Sequence, residues 1–237
     1  MTEPLIQTMT SQLIVRIRNR ILAGTYAPGS ALRQDTLASE FGTSKIPIRE
    51  ALVQLQSEGL IDIYPNRGFQ VRPLAASELD EVFRLRLQIE PTAVGEGAKL
   101  ATAADREAAR KALCNLNATL AAEDFVASGQ LNRAFHLALV VPRLQPVAAE
   151  ILGRLHTLAQ RHVQAHLRPA GRVKRAAREH AALFKVWSAG KWREVKELTQ
   201  GHIAATRDDL ARGRAALVPR PEKSLRPRMT LFHFRER

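Results

Sequence analysis

Apolar residues with helical spacing alternate with glycine and proline breaks along the N-terminal part of the chain. Residues 10–23 place apolar side chains three or four positions apart, which predicts an amphipathic helix. A second, shorter helix is predicted over 33–41. It ends at Gly42, since glycine is the residue that most often follows a helix end.

A third helix and a hairpin follow this pair. The third helix begins after a cap at Thr43 or Ser44 and ends at Gly59. Residues 60–64 and 69–71 alternate polar and apolar side chains around a Pro-Asn-Arg-Gly tip, which predicts a β-hairpin. The pattern therefore indicates three helices followed by a two-stranded wing.

The remainder of the chain carries a helical pattern without a convincing strand. Six helices are predicted, near 77–101, 104–121, 123–140, 144–167, 172–189 and 191–214. Residues 215–237 contain prolines and basic side chains without periodicity, which is typical of a flexible tail. The sequence thus predicts a mainly α protein with a winged domain over 1–73, a helical bundle over 77–214 and a basic tail.

The composition excludes several classes of protein. With 45% hydrophobic and 25% charged residues, the chain has enough apolar side chains for a folded core. It has no apolar run long enough for a membrane span and no signal-peptide pattern, and its single cysteine cannot form an internal disulfide. These features predict a cytoplasmic protein that does not insert into membranes.

The charge of the chain favours a polyanionic partner. A net charge of +13 points to nucleic acid first and to an anionic membrane second. The charge is unevenly distributed, because residues 1–72 contain eight Lys or Arg and six Asp or Glu, whereas residues 212–237 contain eight and two. If the N-terminal domain binds DNA, it does so through a few well-placed cations.

Lys45 and Arg49 are the cations best placed for such a role. They are four residues apart at the start of the third predicted helix, so they project from the same side. A recognition helix presents this end to base edges in the major groove, where a guanidinium can bond guanine bidentately. Arg67, at the hairpin tip, can reach a neighbouring groove or the backbone. The alternative is a solvated helix face paired with Glu50 or Asp35.

The segment around these cations resembles the winged helix-turn-helix of GntR-family regulators. The matching landmarks are "FG" at 41–42, "TSKIPIREAL" at 43–52, "EGLI" at 58–61 and "RGF" at 67–69. The resemblance implies contacts with double-stranded DNA from Thr43, Ser44, Lys45, Pro47, Arg49 and Gly68. Two positions depart from the family pattern. Lys45 replaces the usual arginine and lacks its planar guanidinium, which suits bidentate bonding, and Asp35 stands where some relatives have a basic residue.

Three predicted helices of the second domain each carry a histidine beside an apolar stripe. These are His136, His180 and His202. Asn132 lies four residues before the first of them, on the same helix face. Side chains from several helices can form a metal site in a bundle, and neutral imidazole suits zinc or nickel. From spacing alone, a histidine that borders a core is more often a structural residue than a metal ligand. His162 shares its helix with Arg161, which indicates a solvated face, and His156 is ambiguous.

This helical region resembles the FadR-type effector domain, abbreviated FCD. The resemblance covers residues 77–212 and rests on "LRLQIEPTAVGEGAKLAT" (85–102), "LNRAFHLALV" (131–140), "REHAALFKVWSAGKWREV" (178–195) and "GHI" (201–203). It implies a divalent metal held by Asn132, His136, His180 and His202, with Asn132 in place of an acidic residue. It also implies a small carboxylic or sugar acid effector, with Arg86 facing its cavity. The alternative for Arg86 is a surface ion pair with Glu90.

Three functions are compatible with these features. The resemblance implies a transcription regulator, usually a repressor, that acts as a homodimer on an inverted-repeat operator. A first alternative is a helical metal-dependent enzyme that uses the histidine cluster, with Glu90 or Glu179 as its base. A second is a basic protein held on the nucleoid or a membrane surface by charge alone, which the nearly neutral N-terminal domain argues against.

Overall fold

The computed structural model describes residues 8–65, 67–122, 124–141, 143–166 and 172–217, and most of these residues are helical. Their elements are α1 (Met9–Leu22), β1 (Ala31–Leu32), α2 (Gln34–Phe41), α3 (Lys45–Ser57), β2 (Ile61–Tyr64), β3 (Gly68–Val71), α4 (Ala76–Leu100), α5 (Ala103–Ala121), α6 (Phe125–Val140), α7 (Pro146–His166), α8 (Arg172–Ser188) and α9 (Trp192–Leu217). The predicted mainly α fold and its helix order are confirmed. Helix α9 continues past its predicted end at 214, and residues 218–237 of the predicted tail lie outside the described residues.

The apolar stripes of α1, α2 and α3 meet in the core of the N-terminal unit. Ile17, Leu37 and Leu52 are buried there, one from each helix. Gly42 adopts a left-handed conformation with a φ of 63°, which glycine tolerates best and which allows the tight turn from α2 into α3. This turn leaves the first turn of α3, beginning at Lys45, facing solvent.

A small antiparallel sheet completes the N-terminal unit. Strands β2 and β3 form the predicted hairpin, in which Ile61 pairs with Val71 and Tyr64 pairs with Gly68. The prediction of a two-stranded wing was incomplete, because β1 joins the other edge of β3 and the strand order is β1-β3-β2. A strand of two residues is too short to show an alternating pattern, so the sequence did not reveal it.

Helices α4 to α9 form a separate bundle with its own core. Trp187 of α8 is fully buried and donates a hydrogen bond from its indole nitrogen to the carbonyl of Leu139 in α6, over 2.9 Å. Helices α4 and α6 meet closely at Gly97, where a Cβ atom would lie 2.1 Å from the same carbonyl oxygen. Among the described residues, no helix has both the length and the apolar character required to cross a bilayer.

Helix α7 joins the bundle to the N-terminal unit. The guanidinium of Arg161 is buried and donates hydrogen bonds to the backbone carbonyls of Arg72 and Pro73, the second over 3.4 Å. Glu78 lies 3.7 Å from both Arg161 and His162. The solvated face predicted for this part of the helix was wrong. Arg161 and His162 are 5% and 1% exposed, because the segment that connects the two units covers them.

Candidate metal centre and nucleic-acid interface

Three histidines from three helices converge inside the bundle. His136 of α6, His180 of α8 and His202 of α9 each bring one ring nitrogen within 4.8 Å of the others. His136 and His180 are 1% and 2% exposed, and the side chain of His202 is 9% exposed. The predicted convergence of these histidines is confirmed. The buried His cluster that they form can hold a divalent cation.

Glu90 and His156 extend this cluster. From the sequence, Glu90 was considered only as a partner of Arg86 or as the base of the enzyme alternative, and His156 was ambiguous. One carboxylate oxygen of Glu90 lies 3.0 Å from His136 Nδ1 and 3.0 Å from His156 Nε2, and the other lies 2.8 Å from Arg86 Nε. Arg86 and Glu90 do form the ion pair that was weighed as an alternative. Its predicted surface location was wrong, because their side chains are 6% and 0% exposed. Their i,i+4 spacing was visible in the sequence, whereas their burial was not.

Two of the three histidines have a carboxylate beside Nδ1. Glu179 Oε2 is 2.7 Å from His202 Nδ1, and Glu90 Oε1 is 3.0 Å from His136 Nδ1, although the His136 ring is not turned for a linear hydrogen bond. A carboxylate at one ring nitrogen leaves the other nitrogen with a lone pair for a metal. The Nε2 atom of His136 is buried and has no hydrogen-bond partner in the part of the chain that the structure describes. Such an atom fits a metal ligand.

Burial keeps these imidazoles neutral. It lowers the pKa of His136 to about 4 despite the neighbouring Glu90, and it lowers the pKa of His156 and His202 as well. Burial alone would raise the pKa of Glu90, but Arg86, His156 and His136 together lower it well below its ordinary value. The site therefore offers neutral nitrogen ligands and one ionised carboxylate, which are the protonation states that metal binding requires.

Asn132 lies one turn before His136 on α6 and is half-buried. It is therefore on the same side of the helix as His136. Its role as a fourth ligand stays a prediction.

The predicted DNA-contacting residues lie at the start of α3 and at the hairpin tip. Ser44 is the N-cap of α3, and its side chain makes no capping hydrogen bond. Lys45, Arg49, Arg67 and Gly68 are exposed, and Thr43 and Pro47 are half-buried. The surface thus offers cations, a hydroxyl group and the open end of a helix in one region, which are groups that bind phosphate and base edges.

The alternative of a solvated, ion-paired face holds for one of the two cations. Lys45 Nζ lies 2.5 Å from Asp35 Oδ1, in a pair whose side chains are 64% and 75% exposed. Glu50 accepts a hydrogen bond from Thr10 over 2.8 Å and is not paired with Arg49. Among the described residues Arg49 has no ion-pair partner, so its guanidinium is available to an external acceptor.

Comparison with known families divides the chain in the same way as the structure does. The model described as "Bacterial regulatory proteins, gntR family" matches residues 9–71, and the model described as "FCD domain" matches residues 81–205. The first match covers the N-terminal unit, and the second covers most of the helical bundle.

Several named proteins are similar to this chain. The HTH-type transcriptional repressor GlaR of Escherichia coli is 30% identical over 154 residues, which are 62% of this chain and 68% of GlaR. The regulator McbR of the same species is 28% identical over 148 residues, which are 62% of this chain and 67% of McbR. YdhC of Bacillus subtilis is 35% identical over 83 residues, and this alignment spans only 37% of that protein. These relatives are named as transcriptional regulators and not as enzymes, so they do not support the enzyme alternative.

Solved structures share the fold. Escherichia coli McbR/YncC superposes with a TM-score of 0.74 at 22% identity, covering 87% of this chain and 99% of that one. A GntR-type putative regulator from Rhodococcus sp. RHA1 superposes with a TM-score of 0.69 at 20% identity, covering 85% and 97%. At these identities the likeness concerns the arrangement of the elements alone.

Proposed function

Because the chain belongs to the gntR family of bacterial regulatory proteins and carries a C-terminal FCD domain, we propose that it is a cytoplasmic, DNA-binding transcriptional repressor controlled by a small ligand. The observation that carries the proposal is the pairing of two features in one chain. The N-terminal unit exposes Arg49 near a helix start, with no ion-pair partner among the residues that the structure describes, and the bundle encloses a buried His cluster.

The DNA-binding half of the proposal assigns roles to the exposed groups. Arg49 contacts a base edge in the major groove. Lys45 leaves Asp35 and binds the DNA, and Arg67 at the hairpin tip contacts a neighbouring groove or the DNA backbone. The hydroxyl groups of Thr43 and Ser44 and the backbone of Gly68 bind phosphate, and Pro47 makes a further contact with the DNA. A homodimer would place two such surfaces over an inverted repeat, because two-fold protein symmetry requires two-fold operator symmetry.

Fluorescence anisotropy with duplexes from upstream of the protein's own gene tests this half. We expect a dissociation constant on the order of 10⁻⁸–10⁻¹¹ M that weakens steeply with added salt. A scrambled duplex of equal length is the control. Equal affinity for both duplexes would instead indicate binding by charge alone, as on a nucleoid, and would contradict the proposal.

The ligand-binding half assigns a zinc or nickel ion to His136, His180 and His202, with Asn132 as a further ligand. Three converging imidazoles, of which burial lowers the pKa of His136 and His202, and an unpartnered buried nitrogen of His136 among the described residues support the assignment. A bound cation would supply positive charge for a carboxylate. The residues of the chain orient the ligands, since Glu90 lies beside His136 and Glu179 beside His202.

Metal content after dialysis against zinc or nickel separates the two buried clusters, which share His136. His180 belongs only to the cluster of three histidines, and His156 belongs only to the cluster with Glu90. We expect His180→Ala to lose the ion and His156→Ala to retain it. Loss in both variants, or in neither, would contradict the assignment.

We further propose that the effector is a small carboxylic or sugar acid, with Arg86 contributing to its binding. Arg86 is buried in the same cluster and is held to it through Glu90. A thermal-shift screen of such acids, with and without metal, tests the proposal. A stabilisation that requires both metal and acid in wild type and is absent in His180→Ala is the expected result. Stabilisation by acids without metal would contradict it.

A further inference from the structure

Ile46, in the first turn of α3, is exposed to an unusual degree for its type. Its exposed fraction is 72%, the highest of the exposed large hydrophobic side chains among the described residues. Two residues later, Ile48 is completely buried in the core of the N-terminal unit. Burying an isoleucine side chain stabilises a fold, so Ile46 gives up a contribution that Ile48 makes.

The neighbours of Ile46 place it on the surface that also carries the cations. Lys45 precedes it, and Arg49 lies three residues later, on the same side of the helix. Val53, at the next position along this side, is 47% exposed. The N-terminal residues of a recognition helix are the ones that contact base edges. If Arg49 reaches the bases, Ile46 therefore reaches them too. Val53 lies too far along the helix to contact them.

The chemistry of isoleucine narrows what it can contact there. Its side chain has no hydrogen-bond donor or acceptor, so it cannot bind a phosphate or pair with a polar base edge. The apolar group that the major groove displays is the C5-methyl of thymine. A β-branched side chain is also stiff about χ1, so little rotamer freedom is lost on contact.

We propose that Ile46 determines sequence specificity by packing against the C5-methyl group of a thymine next to the base pair contacted by Arg49. This inference rests on the proposed DNA-binding function and adds to it a preference for thymine at one position of each half-site. Pro47 and the methyl group of Thr43 are also apolar, but both residues are half-buried, whereas Ile46 is 72% exposed.

Removal of single methyl groups from the DNA tests the proposal. Duplexes are first selected by the full-length protein from a random pool, and each thymine is then replaced by deoxyuridine, which lacks only the methyl group. In wild type, replacement at one position in both half-sites should weaken binding about fifteenfold. This corresponds to about fourfold per half-site, the effect of one buried methylene at about 0.8 kcal/mol.

The same duplexes are then measured with the variant Ile46→Ala, so that the change in the protein and the change in the DNA can be compared singly and together. This variant should bind the thymine duplex more weakly than wild type and should no longer distinguish thymine from deoxyuridine at that position. Val53→Ala is the matched control and should keep the wild-type discrimination. Both changes are on the surface, and unchanged thermal unfolding would establish that both variants fold.

The outcomes separate this inference from the function on which it rests. Selective binding without any position at which Ile46 and the thymine methyl are coupled would overturn the inference alone. Failure to enrich any sequence from the pool would overturn the inference and the proposed DNA-binding function together. Coupling at one thymine per half-site supports both.

Discussion

One ion pair of the N-terminal unit and one of the helical bundle lie in opposite environments. The Lys45–Asp35 pair of the first unit is mostly exposed, whereas the Arg86–Glu90 pair of the second is almost completely buried. An exposed pair contributes little to stability and can exchange partners, because water solvates both ions. A buried pair cannot be broken without leaving an uncompensated charge in a poorly solvated interior. The exposed pair therefore keeps its charges available to a partner, and the buried pair keeps them fixed.

Neutralising the carboxylate of each pair should give the largest difference in the free energy of unfolding. Glu90→Gln leaves Arg86 buried beside a neutral amide and should lower the free energy of unfolding by about 3–5 kcal/mol. Asp35→Asn in the exposed pair should change it by less than about 0.5 kcal/mol. Urea denaturation of metal-free protein measures both values. Similar values for the two variants would show that the buried and the exposed pair do not differ in their contribution to stability.

Breaking the junction between the units should have the next largest effect on stability. Arg161→Met deprives the carbonyls of Arg72 and Pro73 of their buried donor, which should cost about 1–3 kcal/mol. Hydrogen exchange should become faster around residues 72–78. Arg154→Met is the control, since Arg154 is exposed on the same helix. An equal effect of both variants would show that the junction does not depend on Arg161.

Arg49→Ala should affect binding and leave folding intact. Loss of a bidentate base contact should weaken operator binding about tenfold to a hundredfold. Because Arg49 is exposed and has no described ion-pair partner, the free energy of unfolding should stay within about 0.5 kcal/mol of wild type. Anisotropy and urea denaturation measure the two quantities, with Gln56→Ala, at the far end of α3, as the control. A large loss of stability would mean that Arg49 belongs to the fold.

The smallest expected effect is a gain in affinity. Asp35→Asn removes the carboxylate that competes with DNA for Lys45, so operator binding should tighten, by up to about fivefold, as an exposed pair is worth at most about 1 kcal/mol. The gain should disappear at high salt, where exposed charges are screened. Weaker binding by Asp35→Asn would indicate that the carboxylate positions Lys45 and does not mask it.

The helices were predictable from the sequence, because each carries its own apolar stripe. The convergence of His136, His180 and His202 was implied by the resemblance to the FCD domain, since their spacing alone favoured structural histidines. Glu90 was not recognisable as a buried group, because its carboxylate is compensated by Arg86 on its own helix and by His136 and His156 from two others. Only the packing of the helices shows that compensation.

The local sequence pattern also did not predict strand β1 or the exposure of Ile46. Strand β1 exists because β3 has a free edge beside it, and its two residues carry no signal of their own. Isoleucine is a residue type that is usually buried. The exposure of Ile46 depends on how the turn at Gly42 orients α3 relative to α2.

Helix α7 has a mechanical consequence for the whole molecule. His156 contacts Glu90 within the bundle, and Arg161, five residues later, holds the connection to the N-terminal unit. These two points are about 7.5 Å apart along one continuous helix. Because an α-helix compresses very little along its axis, the backbone at His156 and the backbone at Arg161 move together. A shift of the helix along its axis at His156 would therefore also move Arg161 and the backbone carbonyl of Arg72 that it binds.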